Sequence, residues 1–315
     1  MSMFRTIDRA SDFGKVAVLL GGDSPERAVS LTSGEAVLAA LEHRGVDVIA
    51  FDPKVDDLED LPRHRVDRCF NILHGGKGED GRTVAVLDHL GIPVTGSGVL
   101  GCALAMDKVR SKQVLAQNDI PVPTTMAASL EQPPAHSDFP VFVKPADGGS
   151  SIAARPVADR TAWAAAYQAA ASAGNGVLVE PLLSGPEYTV GILAGDVLPE
   201  IRIDVASEFY DYEAKYESDA TRFTCPGAAN NQALAERLRQ LAIASFSALD
   251  CRGWGRVDLM LGANGTPYVL EVNTVPGMTS HSLVPCAAKA AGIDFETLCW
   301  RILETSFSVG GSDGE

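Results

Sequence analysis

GRVDLMLGANGTPYVLEVN, residues 255–273, reads as a β-hairpin that carries more charge than a hairpin needs. Two apolar runs flank Asn264-Gly265, a dipeptide favoured in tight hairpin turns. A two-residue turn there pairs Ala263 with Thr266, and counting back along both strands sets Asp258 opposite Glu271 and Arg256 opposite Asn273. Side chains alternate faces along a strand. These four polar groups therefore share one face, and Val257, Leu259, Leu261, Tyr268, Leu270 and Val272 share the other. A slip of one residue would bury the carboxylates, so the pattern favours this register strongly. Two carboxylates directly opposite, with Cβ atoms roughly 5 Å apart, repel. Two readings stand: a solvated polar face with Arg256 as counter-ion, or a cation site that uses the repulsion.

The hairpin sits in a chain of 315 residues, long enough for two or three cores. The chain is 46% hydrophobic and 21% charged, a globular balance. A net charge of -15 argues against passive binding to nucleic acid or an anionic membrane. The six cysteines form no CxxC pair, which reads as reduced thiols in the cytoplasm rather than a disulfide framework or a zinc site. No apolar stretch approaches the roughly 20 residues that span a bilayer. KVAVLLGG (15–22) is too short for a signal-peptide core and reads as a first buried strand. The tail SVGGSDGE is expected to be disordered.

Strand patterns recur at 46–52 and 66–75, with a helical pattern at 24–45 that stops at a glycine and a shorter one at 81–91. IPVTGSG (92–98) reads as a strand and turn. This alternation implies a parallel α/β domain whose loops, one with Glu26 and one with His74, face a crevice. Residues 101–120 read as one helix ended by Pro121. PVFVKPADGGSSIAARPV (140–157) reads as strand, Gly/Ser loop and strand, and 161–174 as an Ala-rich helix. Residues 176–203 give an apolar strand, then a strand pair around Gly195-Asp196. Residues 208–228 fit neither period, and 231–250 form a helix leading into the hairpin.

Four further pieces admit chemistry, each with a plainer alternative. KPADGGSS sets Lys144 at a strand end before a loop whose N–H groups and hydroxyls, with Ser150 and Ser151, suit phosphate oxygens; the alternative is a flexible hairpin tip. Glu180 and Glu187 are acceptors for an adenine amino group and ribose hydroxyls, or surface acids. FYDYEAKY, with Lys215 and Tyr216, is too aromatic for disorder and reads as a closing lid. In GMTSHSLVP, Gly277 brings a backbone N–H near a reacting centre and Ser282 meets a carboxylate at a helix start, or Thr279, Ser280 and Ser282 only cap that helix.

Taken in order, GGDSPERAVSLTSG, LHGGKGEDG, TGSGVLGCALAMDKVRSK, FYDYEAKY, RGWGRVDLML and EVNTVPGMTSHSLVP resemble the D-alanine–D-alanine ligases of the ATP-grasp superfamily, over about residues 15–304. The resemblance implies an α/β, three-domain ATP-grasp fold: a parallel, Rossmann-like N-terminal domain (12–96), then two mixed α+β domains (97–181 and 182–310) sandwiching the nucleotide. It implies a cytoplasmic enzyme, usually a homodimer, that joins two D-alanines with ATP through a D-alanyl phosphate for peptidoglycan. Asp258, Glu271 and Asn273 match the ligands of two Mg²⁺ ions, for which Mn²⁺ can substitute. Arg256 and the Gly277 N–H match the oxyanion donors, and Lys108, Lys144 and Lys215 the phosphate lysines. Glu180, Leu183 and Glu187 match the adenosine run. Glu26 matches the acid on the first D-alanine's ammonium, with His74 beside it, and Ser282 and Leu283 the grip on the second carboxylate. Tyr216 and Ser150 tie the lid to Glu26, and Tyr216 favours the dipeptide over a D-lactate ester. Three departures stand out: Pro181 and Leu182 replace a lysine and an indole of the family's EKWL, Ala153 replaces the glycine of SSVG, and Ala28 replaces a glutamate. The first two predict weaker ATP binding. Two rivals remain: an ATP-grasp ligase with another acceptor, and a nucleotide-binding sensor without turnover.

Overall fold

The computed structural model describes residues 4–147, 153–204 and 221–307. Lys215, Tyr216, Ser150 and Ser151 lie outside the described residues.

The chain opens with β1 (Lys15–Leu19), α1 (Arg27–His43), β2 (Asp47–Phe51), β3 (Arg68–Asn71) and α2 (Arg82–His89). The three strands form a parallel sheet in the order β2-β1-β3, so the loops after β1 and β3 meet at one end. Of the expected strand at 92–98, the structure keeps a single bridge between Cys69 and Val94. α1 buries Val29, Ser33, Val37, Ala40 and Leu41, the three- and four-residue spacing of one helical face.

The expected single helix after this is two, α3 (Val99–Met106) and α4 (Lys108–Gln117). Asp107 breaks the run with an extended backbone, φ -82° and ψ 97°. Its carboxylate accepts from Val109 N at 3.0 Å and Arg110 N at 2.9 Å. An Asp N-cap of this kind starts a helix afresh, and it makes Lys108 the first residue of α4.

β4 (Val141–Pro145), β5 (Arg155–Val157), α5 (Trp163–Ala173) and β6 (Val177–Pro181) follow. They make an antiparallel sheet, β5-β4-β6, whose Val141, Val143 and Val179 pack under Trp163, Ala166 and Ala170. The largest sheet contains β7 (Glu187–Leu193), β8 (Asp196–Val197), β9 (Ile201–Asp204) and β10 (Arg222–Thr224). After α6 (Gln232–Ala248) it adds β11 (Trp254–Leu261) and β12 (Pro267–Asn273), in the order β10-β9-β7-β11-β12 with β8 on β7. The strand at Arg222–Thr224 lies in a region whose sequence matched neither period. α7 (Leu283–Ala290) and α8 (Phe295–Glu304) close the chain. Trp300 of α8 meets Phe13 edge-on at 4.8 Å, tying the C-terminal helices to the first sheet.

One face of the large sheet is apolar. Tyr188, Val190, Val257, Leu259, Val269 and Val272 pack against Leu238, Leu241, Ala242 and Phe246 of α6. Burying each large aliphatic chain contributes about 1.5–3 kcal/mol. α6 approaches so closely that a Cβ on Gly255 would lie 2.6 Å from the Phe246 ring. The opposite face is mixed: Leu193, Trp254, Ile201 and Ile203 are buried there in the core shared with the first sheet, and Thr189, Arg256 and Asp258 lie on the same side.

The hairpin departs from the expected form in two places. Its turn is wider than two residues: Gly265 N bonds to Gly262 O at 2.9 Å, and Gly262 N to Thr266 O at 2.8 Å. A bulge then leaves Leu270 over, since Asp258 pairs with Glu271 but Leu259 pairs with Val269. The two one-residue shifts cancel, so Arg256 faces Asn273 and Asp258 faces Glu271 as expected. Beyond the bulge the parity switches. Val269 is therefore fully buried in place of Leu270 and Tyr268.

Candidate active site

Register places the site on the face of the large sheet opposite α6. Asp258 pairs with Thr189 on one side and with Glu271 on the other, and Arg256 sits between Gly191 and Asn273. Arg256 grips Asp258 through two bonds, Nε to Oδ1 at 2.8 Å and Nη2 to Oδ2 at 2.7 Å. Thr189 Oγ1 donates to Asp258 Oδ1 at 2.6 Å from a buried position. The Asp258 carboxylate is thus fixed in direction from both neighbouring positions. Across from it, Glu271 Oε2 lies 3.4 Å from Lys108 Nζ, so the restarted helix α4 delivers its first residue to the hairpin.

A second charged cluster sits on the smaller antiparallel sheet. Glu180 of β6 is paired across the sheet with Phe142 of β4, two residues before Lys144. Lys144 Nζ reaches Glu180 Oε2 at 3.0 Å, and Lys112 Nζ of α4 lies 2.7 Å from Glu180 Oε1. The Lys112 contact has ion-pair distance but not hydrogen-bond alignment, and both of its atoms are enclosed. Burial raises the Glu180 pKa, but the charges of Lys144 and Lys112 outweigh it and hold the carboxyl below its usual range. Glu187 begins β7 and is half-buried, as is Leu183, while Leu182 is 36% exposed.

The parallel sheet contributes a third set. Glu26 stands just before α1 without capping it through its side chain and is buried, with its backbone N–H bonded to Ser24 Oγ at 3.1 Å. Its Oε2 lies where a Cβ on Gly75 would be, at 2.4 Å. Glu79 approaches the same glycine, its Oε1 accepting from Gly75 N at 2.7 Å. Burial first, then the charge of Glu26, pushes the Glu79 carboxyl well above the usual range, against the pull of Lys108 and Arg256. These four charges therefore share one cleft.

His74 is enclosed rather than open to that cleft, at 4% exposure. Its Nδ1 lies 2.9 Å from Val275 O and its Nε2 3.3 Å from Ser33 Oγ. Ser33 Oγ also accepts from Met278 N at 3.1 Å. A carbonyl only accepts, so Nδ1 carries the proton and Nε2 takes the serine hydroxyl's. Burial is the main cause that brings His74 down to about 4. The ring ties α1 to the loop that carries Gly277. Ser282 precedes α7 but makes no side-chain cap: its Oγ accepts from Thr279 N at 2.9 Å and stands 2.8 Å from the Cβ that Gly277 lacks. Leu283 is the first residue of α7 and is buried.

The structure therefore brings Lys108, Arg256, Asp258, Glu271 and Asn273 together, and joins Lys144 to Glu180 through the second cluster. Thr189, Lys112 and Glu79 belong to these clusters and were not singled out from the sequence. Thr189 could have been found as the alternate residue after Glu187 on the same face of a strand. Lys112 lies one helical turn after Lys108, and Glu79 is the acid of LHGGKGEDG.

Two antiparallel sheets, with Lys108 on an acid of the larger and Lys112 and Lys144 on an acid of the smaller, are the arrangement of the ATP-grasp class. The profile of the family described as D-ala D-ala ligase C-terminus matches residues 107–304. A D-alanine–D-alanine ligase of Methylococcus capsulatus is 46% identical over 310 residues, covering 97% of this chain and all of the relative. The crystal structure of a D-alanine–D-alanine ligase from Bacillus anthracis has a TM-score of 0.80 at 34% identity, covering 93% of this chain and 97% of the other. The structure of the Bacillus anthracis enzyme complexed with ATP has a TM-score of 0.79 at 32% identity, with the same coverage. The chain belongs to the D-alanine–D-alanine ligase family.

Proposed function

We propose that the chain joins two D-alanines into D-alanyl-D-alanine for peptidoglycan, converting ATP to ADP and phosphate through a D-alanyl phosphate. The observation that carries this reading is the pairing of Asp258 with Glu271 on the sheet face opposite α6, with Arg256 and Lys108 as their charged neighbours. Arg256 and Lys108 each offset one of the two opposed carboxylates, and divalent ions bound between the pair and the phosphates would offset both.

The donor set fits Mg²⁺ or Mn²⁺. Among the described residues no group of three or more His, Cys, Asp and Glu converges as a metal site. Two carboxylates and the Asn273 amide oxygen leave the remaining positions to water and ATP phosphates, which is how Mg²⁺ is ordinarily held. Bound there, such ions would neutralise charge on the triphosphate.

The chain's own groups divide the remaining work. Lys108 and Lys144 meet the phosphates, with lid Lys215 and loop residues Ser150 and Ser151 assigned the same task by the resemblance. Glu180, Leu183 and Glu187 hold adenosine. Glu26 receives the first D-alanine's ammonium, and the resemblance assigns Tyr216 and Ser150 the task of tying a lid to it. Arg256, already oriented by its two bonds to Asp258, and the Gly277 N–H donate to the oxyanion formed when the second amine attacks. Ser282 and the Leu283 N–H at the start of α7 take the second carboxylate. His74 supports the first site through the Gly277 loop. No helix among the described residues is long and apolar enough to cross a membrane. The six unpaired cysteines suit a cytoplasmic enzyme, and we extend the reading to a homodimer, testable by light scattering.

The test is phosphate release from ATP and Mg²⁺ with D-alanine, L-alanine or no amino acid, with the product read by mass spectrometry. Turnover with D-alanine alone, giving the dipeptide, is expected, and D-lactate added as a competing acceptor should leave the dipeptide as the main product. Turnover only with a different acceptor, or none at all, would contradict the assignment.

A further inference from the structure

Lys108 and Lys112 stand four residues apart on α4, so they leave one face of the helix a turn apart. The first reaches Glu271 on the hairpin and the second reaches Glu180 on β6. α4 therefore touches both the phosphate end and the base end of the cleft.

The two lysines on Glu180 are not equivalent. The Lys144 side chain is 11% exposed and sits on β4, whose end leads into the Gly/Ser loop. The Lys112 side chain is 3% exposed, with its Nζ enclosed. They also take different oxygens, Lys112 on Oε1 and Lys144 on Oε2. A polyphosphate entering the cleft competes for Lys144, whose departure uncovers Oε2. Lys112 has no comparable outlet and remains on Oε1. A carboxylate this deeply buried keeps its charge and direction only while a fixed cation stays with it.

We propose that Lys112 is a positioning residue for purine recognition: its fixed contact with Glu180 Oε1 aims Oε2 at the amino group of the base, and Lys112 itself does not touch the nucleotide. This deepens the reading of Glu180 as the adenine acceptor and rests on it. A purine with a 6-amino group donates to that oxygen, whereas a 6-oxo purine presents an acceptor to an acceptor. Lys112 thereby sets the preference for ATP over ITP without contacting either.

The experiment measures kcat and the KM values for ATP, ITP and D-alanine in the wild type, Lys112→Met, Glu180→Gln and the double variant. Lys112→Met should raise the ATP KM about tenfold, the loss of one aligned bond to a charged group, and reduce the ATP-over-ITP preference by the same factor. Its kcat and D-alanine KM should stay within about twofold. Adding Lys112→Met to Glu180→Gln should move the ATP KM by less than about twofold, because the effect passes through Glu180. An unchanged ATP-over-ITP ratio in Lys112→Met overturns the proposal. So does a further rise in ATP KM on the Glu180→Gln background, or an equal loss in every parameter, the mark of a merely structural residue. If Lys112→Met does not fold, Lys112→Gln, which fills the site with a neutral donor to Glu180 Oε1, is measured in its place: a reduced ATP-over-ITP ratio is expected, and an unchanged ratio overturns the proposal. If Glu180→Gln itself leaves the ATP KM unchanged, the adenine reading fails and takes the proposal with it. If Glu180→Gln raises that KM and Lys112→Met does not, the proposal alone fails.

Discussion

Acid should loosen the protein at His74. The ring donates from Nδ1 to Val275 O, and its Nε2 receives the Ser33 hydroxyl. A proton on Nε2 would set a donor against that hydroxyl and place a charge in an enclosed site. Arg256 adds a repulsive charge nearby. The folded pKa is accordingly depressed from 6.5 to about 4. The sign follows: below pH 6.5 the unfolded chain gains a proton that the native state refuses, so stability rises with pH across the window from about 4 to 6.5 and is fully present above it. At about 1.4 kcal/mol per unit over 2.5 units the full contribution is about 3.5 kcal/mol, of which about 3 kcal/mol is lost by pH 4. Urea unfolding of the wild type and His74→Gln at half-unit steps from pH 4 to 7.5 measures it. The wild type should lose stability on acidification more steeply than the variant, by about that amount in total. The variant should be less stable at pH 7.5 through loss of the tether to the Gly277 loop. Parallel pH profiles for the two proteins would refute the reasoning.

Glu271→Gln and Asp258→Asn should each leave a folded protein, since each keeps size and removes one of two facing charges, yet reduce kcat by about 10³-fold. Circular dichroism and phosphate release read the two effects separately. Asp107→Ala removes the cap from α4 and should cost about 1 kcal/mol of stability, with the ATP KM rising because Lys108 is the first residue of that helix; thermal melts and initial rates check both. Ala153 has φ +57°, a left-handed conformation that costs a non-glycine residue about 1–2 kcal/mol. Ala153→Gly should therefore be neutral or stabilising by up to about 1 kcal/mol, where a glycine in ordinary backbone would destabilise, and a thermal melt distinguishes the two.

The hairpin shows why its pairing could be read in advance. Asp258 and Glu271 could be set opposite each other from an alternating pattern and an Asn-Gly pair alone. The pairing held because a wider turn and a bulge at Leu270 shift the strand in compensating directions. Pattern alone could not reveal the bulge, and so it put Tyr268 and Leu270 in the core where Val269 belongs. The break at Asp107 was hidden for a related reason. The apolar spacing runs on through it, and only the carboxylate's bonds to Val109 and Arg110 end one helix and start the next. That the first sheet is parallel followed from alternating strand and helix signals, whereas its order β2-β1-β3 came only from the structure. By contrast, Lys112, Thr189, Glu79 and Ser33 take their roles from partners far away in the chain. Each is an ordinary polar residue until the fold sets it beside Glu180, Asp258, Glu26 or His74. His74 shows the converse, since a histidine after a strand end gives no sign that both ring nitrogens will be enclosed.

The central claim is that the facing acids of the hairpin hold divalent ions at the triphosphate. Anomalous diffraction from crystals soaked with Mn²⁺ and a non-hydrolysable ATP analogue tests it most directly. Mn²⁺ peaks bounded by Asp258, Glu271 and Asn273 and by phosphate oxygens are expected. Peaks bound at other side chains, with Asp258 still closed on Arg256 and Glu271 facing solvent, would contradict it.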